Sequence, residues 1–163
     1  MKQMKKFTAL LLAAVLAFGA SAMFTAPKAE AASASTTASK VISIAESYQG
    51  KVQYQHGVRN PSKLIFDCSS FTQFVFKQVG IYIPWGATAQ TKYGTKIGNT
   101  ANLKPGDLVQ FSVATPGKIG HVGIYIGGGK FIHNVNPKSD VVISDLTTGY
   151  WKRHFIQGTR VIK

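Results

Sequence analysis

The stretch Phe66-Asp67-Cys68-Ser69-Ser70-Phe71 contains the only cysteine of the chain. A single thiol cannot form an intramolecular disulfide, so Cys68 is either a small buried hydrophobic residue or a reactive group. The residues that follow have the three-and-four spacing of an amphipathic helix that ends at a glycine. The apolar positions are Phe71, Phe74, Val75 and Val79, and the glycine is Gly80. The sequence therefore predicts a helix with Cys68 in its first turn.

Asp67 directly precedes this helix and is a natural N-cap residue. The unpaired backbone N–H groups at a helix start carry partial positive charge, which favours an anion. We therefore expect the pKa of Cys68 to be lowered, because a thiolate is the charged form of the side chain. Since the thiolate is the stronger nucleophile, the hypothesis is that Cys68 carries out nucleophilic chemistry.

The first 31 residues have the features of a secretory signal peptide. Three lysines in residues 1–6 precede an uncharged, alanine-rich run over residues 7–24, and Ala29-Glu30-Ala31 fits the small-x-small cleavage pattern. The sequence predicts cleavage after Ala31 and a secreted or cell-wall protein. The alternative is an uncleaved membrane anchor, because the apolar run approaches the length of a spanning helix.

The rest of the chain reads as a short lead-in and one domain. Residues 32–39 are small and polar, which predicts a flexible segment. Residues 40–163 contain no repeat and are long enough to bury one core without disulfides. We expect this domain to be a monomer with no stable membrane span after signal cleavage.

The charge balance indicates an anionic partner. Removal of residues 1–31 takes away four lysines and Glu30, which leaves 15 basic and 5 acidic residues and a formal net charge of +10. An anionic cell-wall polymer or membrane surface fits an exported protein. Nucleic acid is not expected, because the basic residues are scattered and export removes the chain from intracellular polymers. A basic surface that serves only solubility is the alternative.

Helical patterns dominate the first half and strand patterns the second. A first helix is predicted over Ser39–Gln49 and a short one over Thr88–Tyr93. Strands are predicted at Leu108–Phe111, His121–Ile126, Lys130–Asn134, Val141–Ser144 and Phe155–Ile162. This order predicts an α+β fold in which N-terminal helices pack on an antiparallel sheet.

His121 and His133 lie on the two strands of a predicted glycine-rich hairpin. Along the first strand His121, Gly123 and Tyr125 share one face, and the apolar residues between them face the core. An odd-length turn at residues 127–129 is predicted to place both imidazoles on one face, whereas a two-residue turn would separate them. Each histidine taken alone could equally be a hydrogen-bonded strand residue, and the two together could bind a metal, although no carboxylate or second cysteine completes a ligand set.

Four motifs in order resemble the NlpC-type cell-wall endopeptidases, a branch of the papain-like cysteine peptidases. They are Phe66–Phe71, Leu103-Lys104-Pro105-Gly106-Asp107-Leu108-Val109, His121-Val122-Gly123-Ile124-Tyr125-Ile126 and Phe131-Ile132-His133. The resemblance runs from about Val41 to Val161 and implies a papain-like fold with the nucleophile helix packed on the sheet. It also implies hydrolysis of peptide bonds in peptidoglycan stem peptides, commonly the bond between the γ-carboxyl of D-glutamate and a diamino acid.

The resemblance assigns roles to seven residues. Cys68 would be the nucleophile, His121 the general base and His133 the third member of the triad. Residues that line the oxyanion and substrate sites would be Tyr54, Asp67, Ser69 and Trp85. The chain departs from the family pattern at Ser70, where glycine is usual, at His56 and Val58, and at Trp85-Gly86-Ala87, where an arginine and small hydroxyl residues are usual.

These departures concern the substrate groove and leave the predicted triad unchanged. No metal or organic cofactor is expected, because a cysteine nucleophile and a histidine base complete the chemistry. An N-acetylmuramoyl-alanine amidase or an acyltransferase could use the same thiol chemistry. A non-catalytic wall-binding protein could keep the same fold.

Overall fold

The structure is a computed structural model that describes residues 26–163, so most of the predicted signal peptide lies outside the described residues. The helices are α1 (Ala26–Ser47), α2 (Cys68–Lys77), α3 (Ala87–Gln90) and α4 (Gly149–His154), with a 3-10 turn at Thr100–Asn102. The strands are β1 (Gln53–Tyr54), β2 (Arg59–Asn60), β3 (Ile65–Phe66), β4 (Thr95–Ile97), β5 (Leu108–Ser112), β6 (Ile119–Gly127), β7 (Lys130–Asn134), β8 (Val141–Asp145) and β9 (Phe155–Arg160).

A six-stranded sheet with the strand order β4-β9-β5-β6-β7-β8 forms the centre of the fold. Every neighbouring pair in it is antiparallel. A small second sheet has the order β1-β3-β2, in which β1 and β3 are parallel. The predicted α+β class with an antiparallel sheet is confirmed, and the five predicted strands correspond to β5 through β9.

Helices α1 and α2 cover one face of the large sheet. The core on this face joins Phe71, Val75 and Phe76 of α2 to side chains of the central strands, and all of them are buried. The strand residues are Leu108, Val122, Ile124 and Ile132. The prediction that Val122 and Ile124 face the core is therefore confirmed.

Helix α1 is longer than the sequence pattern predicts. Residues 32–39, predicted as a flexible lead-in, belong to α1 in the structure, so that prediction is wrong. Alanine has the highest helix propensity, and the Thr36 and Ser39 hydroxyls bond to the carbonyls of Ala32 and Ser35 four residues earlier, so they do not compete with the helical backbone. Ala38 is also buried in the core. No helix within residues 26–163 is long and apolar enough to span a membrane.

The β6–β7 hairpin sets the positions of the two histidines. Its turn has two residues, Gly128 and Gly129, both with positive φ, as a two-residue hairpin requires. The predicted odd-length turn is therefore wrong. However, Gly127 pairs with Lys130 whereas Tyr125 pairs with Phe131, so β6 carries one extra residue as a bulge. The bulge restores the pairing of odd with odd residues, and both histidines lie on the same face of the sheet.

Candidate active site

Asp67 begins α2 through a complete set of cap hydrogen bonds. Its carboxylate accepts from the backbone N–H of Ser70 at 2.7 Å and from the Ser69 hydroxyl at 2.9 Å. The Ser70 hydroxyl accepts from the Asp67 N–H at 2.9 Å and donates to the Val58 carbonyl at 2.7 Å. This capping box confirms Asp67 as the N-cap residue. Ser70, which replaces the usual glycine, therefore ties the start of α2 to the loop before it.

Cys68 is the first residue of α2 and is only 7% exposed. The pKa of its thiol is raised to about 11, mainly by burial and also by the neighbouring Asp67 carboxylate, although the backbone N–H groups of Val122, Ser69 and Cys68 itself act in the opposite direction. The lowered pKa expected from the helix start is therefore wrong for this structure, because desolvation outweighs the dipole effect. The resting thiol is protonated at neutral pH.

His121 and His133 bond directly to each other. Nε2 of His121 lies 2.7 Å from Nδ1 of His133, and Nε2 of His133 lies 2.8 Å from the Ser144 hydroxyl oxygen. Gly123 lies beside His133, and a methyl group added at Gly123 would approach the His133 Cβ to 3.0 Å. The absent side chain at Gly123 therefore makes room for His133 against β6.

Aromatic rings enclose the two imidazoles. The Trp151 indole of α4 stacks on His121 with ring centroids 5.1 Å apart and meets His133 edge-on at 4.8 Å. Phe111 and Phe131 contact the pair from the sheet. Burial lowers the pKa of His121 to about 4, partly offset by Asp67, and burial together with His121 lowers the pKa of His133 to about 2. Both rings are therefore neutral at pH 7.

Helix α2 brings Cys68 to the strand that carries His121. It packs against β6, and the backbone N–H of Val122 on that strand lowers the pKa of Cys68. Val122 follows His121 directly in the chain. The Asp67 charge acts on the pKa of both Cys68 and His121, which agrees with a short separation of the three side chains.

Tyr54 belongs to the same site. Burial raises the pKa of its hydroxyl, and the nearby Cys68 and Asp67 raise it further. Its backbone N–H donates to the Asp140 carboxylate at 2.7 Å. Asp140 has a left-handed backbone (φ 51°), a conformation that aspartate tolerates better than most residues. This contact fastens β1 to the loop before β8, and Tyr54 pairs with Phe66, two residues before Cys68.

An open groove of about 330 Å³ runs past the thiol. Cys68, Asp67, Ser69 and Trp85 all line it, together with His56 and the segments 86–89 and 119–120. The Trp85 indole N–H donates to the second oxygen of Asp67 at 2.8 Å. The structure therefore places four of the predicted residues, Cys68, Asp67, Ser69 and Trp85, along one groove. It places the bonded pair of His121 and His133 on β6 and β7.

Three contributors were not predicted from the sequence. Arg59 lies with its guanidinium 5.4 Å from the centroid of the Trp85 ring, so a cation packs on one of the residues that line the groove. Trp151 covers the imidazoles and Ser144 bonds to His133. The alternation of residues along β8 indicated which face Ser144 lies on. Its bond to His133 could not be predicted, because that bond depends on how β7 pairs with β8.

The sequence also allowed a metal site that uses the histidines. Within residues 26–163 no group of three or more His, Cys, Asp and Glu side chains could hold a metal ion. His154 stacks on Tyr150 with centroids 3.9 Å apart and bonds to the Tyr150 carbonyl, away from the thiol. His56, one of the departures from the family pattern, lines the groove and is exposed.

Two known proteins with related sequences are named as hydrolases. The chain is 43% identical over 123 residues to the γ-DL-glutamyl hydrolase of Bacillus subtilis, covering 75% of this chain and 29% of that protein. It is 37% identical over 112 residues to the murein DD-endopeptidase MepS/murein LD-carboxypeptidase of Escherichia coli, covering 68% of this chain and 56% of that protein. The matched segment thus spans less than two thirds of either relative.

A solved structure gives the same result for the fold. The NlpC/p60 domain of the peptidoglycan hydrolase SagA superposes with a TM-score of 0.63 at 31% identity, covering 76% of this chain and 97% of that domain. The model of the NlpC/P60 family matches residues 50–160, which include the capped helix, the groove and the hairpin. The chain therefore belongs to the NlpC/P60 family.

Proposed function

We propose that this chain is a cysteine endopeptidase that hydrolyses peptidoglycan stem peptides. The observation that supports the proposal is a groove lined by Cys68 and by residues 119–120 of β6, which directly precede His121 in the chain, together with the bond between the neutral His121 and His133 rings. In the proposal Cys68 is the nucleophile, His121 the general base and His133 the group that orients His121.

The first step follows from the protonation states of the resting site. Because the thiol is protonated and His121 is neutral, the proton of Cys68 passes to the free Nδ1 of His121 as the sulfur attacks the scissile carbonyl carbon. The C–S bond forms and the carbonyl π electrons move to oxygen. The Cys68 backbone N–H and the Tyr54 hydroxyl are the candidate donors to that oxygen.

The second half of the cycle releases two products. Protonated His121 gives its proton to the leaving amine as the C–N bond breaks, which leaves a thioester on Cys68. Water, deprotonated by His121, then attacks the thioester and releases the carboxylic acid and the thiol. His133 accepts the hydrogen bond from His121 throughout and so holds the imidazole in place.

The bond to be cut is proposed from chemistry and from the relatives together. One relative is named a γ-DL-glutamyl hydrolase and another a murein DD-endopeptidase. The higher identity to the former favours a γ-glutamyl bond. The diamino acid on the other side of that bond is proposed from the resemblance to the NlpC-type endopeptidases. Trp85, at the position where the family pattern has an arginine, lines the groove with Arg59 against its ring, so we propose that this pair affects which peptide fits.

Digestion of defined muropeptides tests the proposal. Residues 32–163 are incubated with a disaccharide tetrapeptide and with a cross-linked dimer, and mass spectrometry identifies the bond broken. We expect cleavage after γ-D-glutamate by the wild type and no detectable cleavage by Cys68→Ser or Cys68→Ala at unchanged melting temperature, because a serine hydroxyl has no accessible anion at this site. Release of the peptide from muramic acid would instead identify an amidase, and wild-type turnover by Cys68→Ser would contradict the nucleophile assignment.

The basic charge is proposed to hold the protein on an anionic cell wall outside the cytoplasm. With a formal net charge of +10 on residues 32–163, binding of the inactive Cys68→Ala variant to purified walls should weaken as salt rises, because exposed charges are screened over about 8 Å at physiological ionic strength. A cosedimentation assay at low and high salt measures this. Equal binding at both salt concentrations would show that charge does not attract the protein to the wall.

A further inference from the structure

We propose that Ser144 is a positioning residue, whose hydroxyl accepts the Nε2 proton of His133 and thereby keeps His121 in the tautomer that can act as a base. The proposal rests on the proposed function, since it concerns how the same pair of histidines works. It adds a fourth member, on β8, to the Cys68, His121 and His133 set.

The geometry gives a continuous chain of three polar groups. The first hydrogen bond joins Nε2 of His121 to Nδ1 of His133 at 2.7 Å. The second joins Nε2 of His133 to the Ser144 hydroxyl oxygen at 2.8 Å. His133 is fully buried. In the β7–β8 ladder His133 pairs with Val142, so Ser144 is its diagonal neighbour on the same face.

Only one direction of this chain leaves His121 able to accept a proton. A neutral imidazole has one N–H and one lone pair, and the nitrogen that carries the proton is set by the hydrogen bond that the other makes. When His121 donates from Nε2, its Nδ1 keeps the lone pair that a base needs. His133 then accepts at Nδ1, so its own proton is on Nε2 and requires an acceptor, which is Ser144.

The reversed chain inactivates the base. If His133 carried its proton on Nδ1, it would donate to Nε2 of His121, and the His121 proton would have to be on Nδ1. The nitrogen left for the thiol would then be a donor. A buried N–H without a partner is rarer and costlier than an acceptor without one, so removal of the Ser144 hydroxyl favours this reversed arrangement.

The same contact has a second effect during the reaction. Once His121 is protonated, both of its nitrogens carry hydrogens, and His133 can only accept at Nδ1. The Nε2–H of His133 must then point at Ser144, because the ring has no other neutral tautomer that accepts from His121. The Ser144 bond therefore persists along the reaction, and its loss lowers the rate of turnover more than it weakens substrate binding.

Ser144→Ala, with Ser144→Thr and Ser62→Ala beside it, tests the proposal. Threonine keeps a hydroxyl and suits a strand, and Ser62 carries a hydroxyl in an exposed turn, where it bonds only to Asn60. Histidine ring ¹⁵N NMR at neutral pH reports the tautomers without any substrate. We expect Nε2–H for both rings in the wild type, Ser144→Thr and Ser62→Ala, and a measurable Nδ1–H population in Ser144→Ala.

Kinetics on the muropeptide cleaved by the wild type give the second readout. Ser144→Ala should lose about tenfold in kcat with little change in KM, as expected for loss of one hydrogen bond to a charge that forms in the reaction, and Ser144→Thr should recover most of it. Wild-type tautomers and kcat in Ser144→Ala, or Nδ1–H on His121 in the wild type, would overturn the proposal. The NMR result stands even if no muropeptide is cleaved, so the tautomer role and the proposed function can fail separately.

Discussion

The two faces of the central sheet are built from alternate residues of the same strands, yet they have different chemistry. On the face covered by α1 and α2, Val122, Ile124 and Ile132 form an aliphatic core with the helix side chains. On the opposite face, His121 and His133 lie among Phe111, Phe131 and Trp151. The first face holds the fold together, and the second places two titratable rings in an apolar environment.

The difference shows that the reactive groups are stabilised in two ways. The start of α2 depends on local contacts, because Asp67, Ser69 and Ser70 bond to one another within four residues of the chain. The histidine face depends on strand pairing and on α4, which are distant in sequence. Substitutions of His121 and His133 should therefore change chemistry before they change stability, and substitutions in the aliphatic core of the other face should change stability first.

The largest effect is expected from the two histidines themselves. His121→Ala should lower kcat/KM by about 10²–10⁴-fold, the range for loss of a general base. His133→Asn and His133→Gln, which can still accept a hydrogen bond, should keep measurable turnover, while His133→Ala should lose much more. Steady-state kinetics at neutral pH separates them, and equal loss in His133→Gln and His133→Ala would contradict an orienting role for His133.

Gly123 tests the boundary between the two faces. A methyl group at this position would lie 2.9 Å from the Ile132 carbonyl oxygen and 3.0 Å from the His133 Cβ. Gly123→Ala should lower the free energy of unfolding by about 1–3 kcal/mol, as overpacking does, and should also reduce turnover. Gly98→Ala is the matched control, because its added methyl would have no atom within 4 Å. Urea unfolding of both variants measures the difference. Equal free energies of unfolding would show that β6 shifts to accommodate the methyl group without loss of stability.

The smallest effect is the pH dependence of stability. The folded pKa values of His121 and His133 lie below the ordinary value of 6.5. Between about pH 6.5 and pH 4 the unfolded chain binds protons that the folded chain does not, so the free energy of unfolding should fall as the pH falls through this range. Urea unfolding at several pH values follows the decline.

Trp151→Ala sharpens this test. It admits water to the imidazoles, so their pKa values should move back towards 6.5 and the decline with falling pH should become shallower. Tyr150→Ala, which removes an exposed neighbouring ring of α4, is the control and should keep the wild-type slope. A wild-type slope in Trp151→Ala would show that the sheet alone keeps the imidazoles neutral.

Local sequence predicted the parts of the site that local contacts build. The sequence pattern predicted the Asp67 cap, the helix that starts at Cys68 and the alternation along β6. The structure contains all three. Strands β1 to β3 have only two residues each, too few for any periodicity. Helix α4 with Trp151 is six residues long, and its importance comes from the strand face that it covers.

The arrangement of His121 and His133 depends on features that the sequence pattern does not show. The sequence predicted that both rings lie on one face, which is correct, but it predicted an odd-length turn, which is wrong. The three glycines do not reveal the bulge between Tyr125 and Gly127 that gives the same result with a two-residue turn. The Ser144 contact depends in turn on the register of β7 with β8. The raised pKa of Cys68 likewise could not be predicted, since burial of the helix start arises from packing against β6.

The burial of Cys68 also affects how fast the thiol reacts with oxidants. Peroxides and disulfides attack thiolates far faster than thiols, and the resting sulfur is 7% exposed with a pKa of about 11. A chain with one cysteine has no second thiol to reverse a sulfenic acid by forming an internal disulfide. A buried thiol in its protonated form should therefore react slowly with such oxidants.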